Sequence, residues 1–186
     1  MSRRLVFFIA AVALSWPSRA AEPQPSPESR KPGIRTEFGD VQIDNLGIGR
    51  TYNLRDLAGT PLKVTNTGPD SVNLVMSVEI PKPDTIAPQR RELGFKPVPS
   101  LDWVSLGRSQ FIVPPGDSAY TDVIIKIPDD PSLYGKKFQA DIYSRTTGGD
   151  AFLHLGVWSH LQMSIVRSPE DQAQIEKNKK RGIVGS

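Results

Sequence analysis

The sequence predicts an all-β fold, an antiparallel β-sandwich of seven or eight strands followed by a short helical tail at the C-terminus. Short runs of alternating apolar and polar residues are typical of strands that are buried on one face. Proline and glycine separate these runs, and none of the 17 prolines lies inside a predicted strand. Strands joined by turns in this way favour a sandwich over a parallel sheet of βαβ units.

Six runs carry the strand pattern. The clearest covers residues 72–80, where five apolar residues fall on one face. The run nearest the C-terminus, residues 153–165, is long for one strand, so we expect a break near Gly156. The other runs cover residues 38–43, 62–66, 121–127 and 138–142.

Residues that favour turns lie between the runs. Pro115 fixes a φ angle and Gly116 is free to take a positive φ, as a type II turn requires. Gly148 and Gly149 offer the positive φ angles of a tight reversal. These turns agree with the predicted strands on either side of them.

The N-terminus has the outline of a secretory signal peptide, which we predict for residues 1–20. Arg3 and Arg4 precede an apolar run of 12 residues, and the segment 18–20 supplies the small residues of a cleavage site. The apolar run is shorter than the roughly 20 residues that a membrane-spanning helix needs. We therefore expect a protein exported to the periplasm, the cell surface or the exterior, with no transmembrane segment after cleavage.

The rest of the chain divides into three parts. Residues 21–34 are rich in proline and poor in apolar residues, which predicts a disordered linker. Residues 35–167 hold the predicted sandwich, and residues 168–186 form a charged tail. Ser168 suits the N-cap of a helix in this tail, because proline and two acidic residues follow it at the positive end of the helix dipole.

Charge and cysteine content exclude several functions. The chain has 23 basic and 20 acidic residues, and the signal peptide holds three of the basic ones and no acid. The mature protein therefore has a formal net charge of zero, without the basic excess that nucleic-acid binding requires. The absence of cysteine excludes disulfides, thiol catalysis and cysteine-based metal sites.

No catalytic or metal-binding motif stands out in the sequence. His154 and His160 are six residues apart, roughly 20 Å along one strand, which is too far for both to bind one ion. Asp129 and Asp130 follow a predicted strand, where adjacent aspartates are typical turn formers. We therefore expect a protein that is not an enzyme and that holds no metal and no cofactor.

Candidate partner-binding residues lie in two places. Trp158 and His160 have the opposite parity to the apolar face of their strand, so they should point outward and could form a platform for a sugar or a partner. The alternative is that a loop or a register change buries Trp158. The second place is the long, helix-poor loop 81–101, where cations lie beside one aromatic residue. These residues are Arg90, Arg91, Phe95 and Lys96, and the alternative is a solvated loop pinned by Phe95.

Three segments resemble bacterial extracellular immunoglobulin-like modules: residues 111–118 (FIVPPGDS), 122–128 (DVIIKIP) and 135–140 (GKKFQA). In that group a proline-glycine turn precedes a strand ending in proline, and a glycine leads into the next strand. Over residues 52–146 the chain resembles the immunoglobulin-like peptidoglycan-binding domain of the WxL-interacting protein family. The resemblance implies an immunoglobulin-like sandwich in an exported, non-enzymatic envelope protein, and it assigns no binding residue.

The same proline-glycine turn is similar to the N-terminal domain of periplasmic pilus chaperones, which have two domains where this chain has room for one. The sequence therefore predicts an exported, non-catalytic β-sandwich protein of a bacterial envelope. Its expected role is adhesion, scaffolding or docking to another envelope or surface protein. A carbohydrate- or peptidoglycan-binding module, with an envelope polysaccharide as partner, is the alternative. A chaperone-like protein of periplasmic assembly is the second alternative.

Overall fold

The computed structural model of the protein describes residues 31–147 and 154–180. These residues form twelve strands and three α-helices, with 3-10 turns at Leu101–Trp103 and Pro131–Leu133. The helices are α1 (Leu54–Ala58), α2 (Pro88–Glu92) and α3 (Pro169–Lys180). The strands are β1 (Ile34–Thr36), β2 (Asp40–Leu46), β3 (Arg50–Asn53), β4 (Leu62–Asn66), β5 (Val72–Glu79), β6 (Phe95–Pro97), β7 (Val104–Leu106), β8 (Gln110–Val113), β9 (Ser118–Thr121), β10 (Val123–Ile127), β11 (Lys137–Thr147) and β12 (Gly156–Ile165).

The strands form one large sheet and two small ones. The six-stranded sheet has the order β2-β12-β11-β5-β8, with β6 beside the first residues of β11. The small sheets have the orders β1-β4-β9 and β3-β10-β7. Most pairs are antiparallel, but β2 lies parallel to β12 and β6 lies parallel to β11. The predicted all-β sandwich is confirmed.

Alternate residues from all three sheets form a single apolar core. In β11 the even-numbered residues from Phe138 to Thr146 are all buried, and in β12 Leu161, Met163 and Ile165 are buried. The small sheets add Val64 and Ile125, among others, to the same cluster. Because burial of one such side chain stabilises a fold by about 1.5–3 kcal/mol, this shared core holds the sheets together without any covalent cross-link.

The predicted strand 121–127 is in fact two strands in different sheets. Residues up to Thr121 pair with β4, while residues from Val123 pair with β3 and β7. The carbonyl of Asp122, between them, accepts a hydrogen bond from the amide of Gly107 at 2.9 Å. The alternating pattern runs through the break because both halves face the same core, so it could not show where the chain changes sheet.

The structure also has more strands than the seven or eight predicted. The additional ones have three or four residues each, too few to produce a clear alternation. The loop 81–101, predicted to be helix-poor, contains the five-residue α2 and β6, and a 3-10 turn begins at its last residue. Proline at the first position of α2 and a left-handed Gly94 just beyond it are typical helix boundaries.

Two predicted local features agree with the structure. Gly116 has a φ of 79°, and the amide of Asp117 donates to the carbonyl of Pro114 at 3.1 Å, which closes the proline-glycine turn. Strand β12 begins at Gly156, where the break was expected. The predicted reversal at residues 148–149, the signal peptide and most of the linker lie outside the described residues.

The tail forms the predicted helix and rests on the sandwich through polar contacts. The Ser168 hydroxyl accepts from the Asp171 amide at 3.2 Å, and a hydrogen bond to Ser168 is the main reason that the pKa of Glu170 is lowered. Gln172 accepts from the amide of Ile48 at 3.0 Å and donates to its carbonyl at 3.3 Å. Among the described residues, no helix combines the length and the apolar character needed to cross a membrane.

Candidate binding surface on the six-stranded sheet

The outer face of the six-stranded sheet carries a row of ionisable side chains at its centre. Asp40 of β2, His160 of β12, Asp141 of β11 and Glu79 of β5 are successive neighbours in the strand register. Strands lie about 4.8 Å apart, so this register brings three carboxylates and one imidazole into a line across four strands. We call these four residues the polar row.

The middle of the polar row is tightly hydrogen-bonded. Oδ1 of Asp141 lies 2.8 Å from Nδ1 of His160 and 2.8 Å from Nε2 of Gln139. An ionised carboxylate only accepts hydrogen bonds, so Nδ1 of His160 donates in this contact. Nε2 is the ring nitrogen that does not bind Asp141. Asp141 and Gln139 are buried, whereas His160 remains about one-third exposed.

Helix α2 covers one end of this face through Arg90. Its guanidinium lies 2.8 Å from Oδ1 of Asp40, and it reaches the Gln162 side chain at 2.7–3.0 Å. The Gln162 amide is assigned with its oxygen toward Arg90, because only that orientation pairs an acceptor with the three donors. Arg90 therefore satisfies a buried amide and binds a carboxylate on the neighbouring strand.

The rest of the loop 81–101 folds down on the same side. Ile86 and Phe95 are buried but lie outside the main core cluster, so they anchor the loop separately. The Lys137 ammonium lies 5.6 Å from the centre of the Phe95 ring, within the range of a cation–π contact. Arg91 and Lys96 are exposed. The four residues that the sequence grouped together therefore divide, with Arg90 and Phe95 turned inward and the other two in solvent.

An aromatic pair, Trp158 and Tyr143, stands next to the polar row. Their rings are stacked at 4.3 Å between centroids with 21° between planes, and Trp158 is 44% exposed. Tyr143 lies across Gly156, where an added β-carbon would lie 2.6 Å from Cε2 of the tyrosine ring. The glycine at this position is therefore what allows Tyr143 to lie flat against the strand behind Trp158.

The sheet is narrower beside Trp158 than beside His160. Strand β2 begins at Asp40, directly opposite His160, and the preceding residues 37–39 are in no strand, with Gly39 the last of them to bond β12, through its carbonyl and the His160 amide at 2.8 Å. We call this step at the sheet edge the notch, bounded by Trp158, His160 and Asp40. One indole face is occupied by Tyr143, so the exposure of Trp158 belongs mainly to the rest of the ring.

The structure brings together two of the six residues singled out in the sequence, Trp158 and His160, and places Arg90 beside the same row. Sequence reasoning missed Tyr143, Asp141, Gln139 and Gln162. A signal for the first three was present, because they share the outward parity of β11 and face Trp158, His160 and Gln162 across the hairpin. The partner strand had to be known before this parity became informative.

The charged groups of this surface are largely engaged with one another. Within residues 31–147 and 154–180, no group of three or more histidine, aspartate or glutamate side chains is placed to hold a metal ion. The carboxylate of Asp141 is already engaged by His160 and Gln139, and the guanidinium of Arg90 is engaged by Asp40. What remains accessible is a fixed aromatic face with polar groups beside it.

Comparison with known proteins establishes the fold. No protein-family model matches the sequence, and no curated protein matches it. The structure is similar to a PapD-like domain of human CEP192, with 10% identity and a TM-score of 0.50 over 86% of this chain and 99% of that domain. The fold is PapD-like and immunoglobulin-like. The predicted immunoglobulin-like sandwich is thus confirmed, while no match shows the WxL-interacting family.

Two further structures share parts of this architecture. A candidate carbohydrate-binding protein from Bacteroides ovatus has 11% identity and a TM-score of 0.51, over 73% of this chain and 37% of its own. The periplasmic chaperone SfaE has 13% identity and a TM-score of 0.47, over 76% of this chain and 64% of its own. At these identities a similarity describes the fold and does not identify a ligand.

Proposed function

We propose that the protein is an exported, non-catalytic module of a bacterial envelope that docks onto another surface component, in adhesion or scaffolding. The observation that carries the proposal is Trp158, a large aromatic side chain held exposed on the outer face of the six-stranded sheet. Rigid, accessible aromatic residues are the side chains that most often anchor a partner. The outer face of the six-stranded sheet is the proposed docking surface, with Arg90 and His160 at its border.

The other parts of the proposal rest on separate observations. Export is supported by the signal-peptide pattern of residues 1–20, which lies outside the described residues. A non-catalytic role is supported by the hydrogen bonding of Asp141 and Arg90, whose charged groups are committed to neighbouring side chains. It is also supported by the fold, because the similar structures are named as PapD-like, carbohydrate-binding or chaperone proteins.

Two alternatives follow from other features. A carbohydrate- or peptidoglycan-binding module is supported by the exposure of Trp158 and by the resemblance of residues 52–146 to the WxL-interacting family's domain. A chaperone-like role in periplasmic assembly is supported by the PapD-like fold alone. The two alternatives make different predictions, since a chaperone would bind protein subunits and the first would bind a glycan.

The test is a crosslinked pull-down from the native envelope with the tagged mature protein. We expect Trp158→Ala to lose the specific crosslinked products that the unaltered protein forms. Tyr120→Ala is the matched control, because Tyr120 is an aromatic residue of β9 that is 52% exposed on a different sheet. Crosslinks that persist in the Trp158→Ala protein, or that vanish equally in both variants, would refute docking through this face.

A further inference from the structure

We propose that the notch is a glycan-binding site, in which one sugar ring stacks on the free face of Trp158 while Asp40 and His160 bind its hydroxyl groups. The inference rests on the proposed function and names the chemical class of the surface component. It depends on three observations: a fixed aromatic wall, an open side, and polar groups at the right spacing.

The first observation is that the Trp158 ring, the aromatic wall of the site, is held in place by its neighbours. Tyr143 is stacked on one face of the indole at 4.3 Å, and Gly156 provides the space in which Tyr143 lies. Trp158 is therefore held in place before any ligand arrives, so little conformational entropy is lost on binding. Surface aromatic residues without such support would have to become ordered at the moment of binding.

The wall faces an open side of the sheet. Strand β2 begins opposite His160, and the residues before it, 37–39, are in no strand, although the Gly39 carbonyl still accepts from the His160 amide at 2.8 Å. Gly39, the residue before Asp40, has no side chain, and a β-carbon added there would meet no atom within 4 Å, so this edge of the sheet carries little bulk. The 44% exposure of Trp158 agrees with an indole face that borders this step.

Polar groups lie one step further along the same face. His160 follows Trp158 by two residues, roughly 6.6 Å along the strand, and Asp40 is its neighbour on β2. The Asp40 side chain is 58% exposed, so its carboxylate can accept hydrogen bonds from hydroxyls in addition to binding Arg90. Nε2 of His160, opposite the nitrogen that binds Asp141, supplies a second hydrogen-bonding atom for a hydroxyl group.

This combination fits a sugar better than a protein. A stable protein interface buries about 800 Å² on each partner around an apolar centre, whereas here polar groups begin at the edges of one aromatic pair. A pyranose has the matching shape, with an apolar ring face and a rim of hydroxyls. Arg90 pairs with Asp40, His160 binds Asp141, and the exposed Arg145 lies beside Tyr143 on the same face. The charges near the site are therefore largely balanced, and a neutral or N-acetylated sugar is the matching ligand.

The first test is a fluorescence titration of the mature protein with N-acetylglucosamine oligomers and neutral glucan oligomers, using polygalacturonate as the anionic comparison. Trp103 is buried in the core, so a saturable change in emission reports on Trp158. We expect saturable binding of at least one neutral oligomer and no binding of the polyanion; because Trp158→Ala removes the fluorescent reporter, its loss of binding is measured by isothermal titration calorimetry. Tyr120→Ala should bind normally.

A second pair of variants tests the polar contacts. Asp40→Ala should weaken binding about ten- to 150-fold, in line with one lost hydrogen bond to a charged group. Arg90→Ala separates this effect from displacement of α2, because it breaks the same ion pair and leaves the carboxylate in place. Equal weakening in the two variants would mean that Asp40 acts through the loop, and would overturn its role as a ligand.

A third measurement, sedimentation with insoluble peptidoglycan, covers long polymers that oligomers do not represent. If oligomers and peptidoglycan both fail to bind while the envelope crosslinks still require Trp158, the partner is a protein; the glycan inference is then wrong and the docking function stands. If Trp158→Ala changes neither glycan binding nor the crosslinks, both proposals fail.

Discussion

Arg90 and Arg91 are neighbours on one short helix, but only Arg90 is built into the fold. Its guanidinium meets the carboxylate of Asp40 and the buried amide of Gln162, while Arg91 is exposed. A buried polar atom that loses its partner costs the free energy of its desolvation. The two arginines therefore form a natural comparison between a structural and a solvated charge.

We expect Arg90→Ala to lower the free energy of unfolding by about 1–3 kcal/mol, because it leaves the Gln162 oxygen unpaired under the loop. Arg91→Ala should change it by less than about 0.5 kcal/mol, as is usual at exposed positions. Urea denaturation of the two variants measures the difference. Equal stabilities would show that Arg90 contributes no more than a surface charge.

Gly156 controls the position of the aromatic pair. Gly156→Ala places a β-carbon where the Tyr143 ring now lies, so we expect the ring to move and Trp158 to lose its stacking partner. The result should be an altered near-ultraviolet circular dichroism band and faster quenching of Trp158 by acrylamide, with a loss of stability of about 1 kcal/mol. Gly107→Ala is the control, because its nearest neighbour atom would lie at an ordinary 3.5 Å. An unchanged aromatic band in the Gly156 variant would contradict this account.

At the scale of single residues, the sequence predicted which way a side chain points better than which residues it contacts. The alternation of β12 is enough to place Trp158 and His160 on the outward face. It cannot show that Tyr143 stands behind Trp158, since that contact depends on the register between two strands and on the space above Gly156. The sequence identifies Arg90 as a cation in a long loop. It cannot identify the partners of Arg90, because they lie on distant strands that the folded loop covers.

Among the elements, the tail helix α3 is attached with few contacts. Gln172 makes two hydrogen bonds with the backbone of Ile48, and Glu176 pairs with Arg50 at a largely exposed position. Exposed ion pairs contribute little to stability, so Gln172 should account for most of the attachment. The helix has almost no apolar surface to bury, since Ala173 and Ile175 both remain exposed.

Deletion of residues 170–186 should therefore leave the sandwich folded, with a loss of stability of about 1–2 kcal/mol. The β-sheet signal in far-ultraviolet circular dichroism should persist and the melting temperature should fall by a few degrees. Gln172→Ala in the full chain should reproduce most of that change, whereas Gln174→Ala, altered on the exposed side, should not. A fall of more than about 10 °C on deletion would mean that the helix supports the core.

Long strands were predictable, and short ones were not. Strand β4 has the predicted limits, and β5 ends one residue before the predicted run. Strands of three or four residues, such as β1 and β6, present at most two residues to each face and leave no period to detect. The parallel pairing of β6 with β11 arises from the path of the loop 81–101, which local sequence does not encode.

On the scale of the whole molecule, the three sheets unfold as one unit if their shared core is what stabilises them. Trp103, just before β7 of a small sheet, meets Phe138 of the large sheet edge-to-face at 4.9 Å. This contact spans the sandwich, so the fluorescence of Trp103 reports on the separation of the sheets. The signal peptide contains Trp16, which the mature protein lacks, so Trp158→Phe leaves Trp103 as the single tryptophan.

We expect the Trp103 emission of the mature Trp158→Phe protein and its far-ultraviolet circular dichroism to change at the same urea concentration, as one cooperative transition requires. Met163→Ala, which leaves a cavity at a fully buried position, should move both unfolding curves to lower urea concentration together. The free energy of unfolding should fall by about 2–5 kcal/mol. If the two signals separate, one sheet survives without the other and the core is divided.

The pairing of β2 with β12 has a consequence for how the protein is made. These are the first and last strands of the large sheet in chain order, and within that sheet β2 has no other neighbour. A chain that stops before residue 156 would leave β2 with nothing to join in that sheet, and long-range pairings of this kind form late. The large sheet is therefore complete only when the chain has been made to its last strand, and a truncated product would present unpaired strand edges that are open to proteolysis.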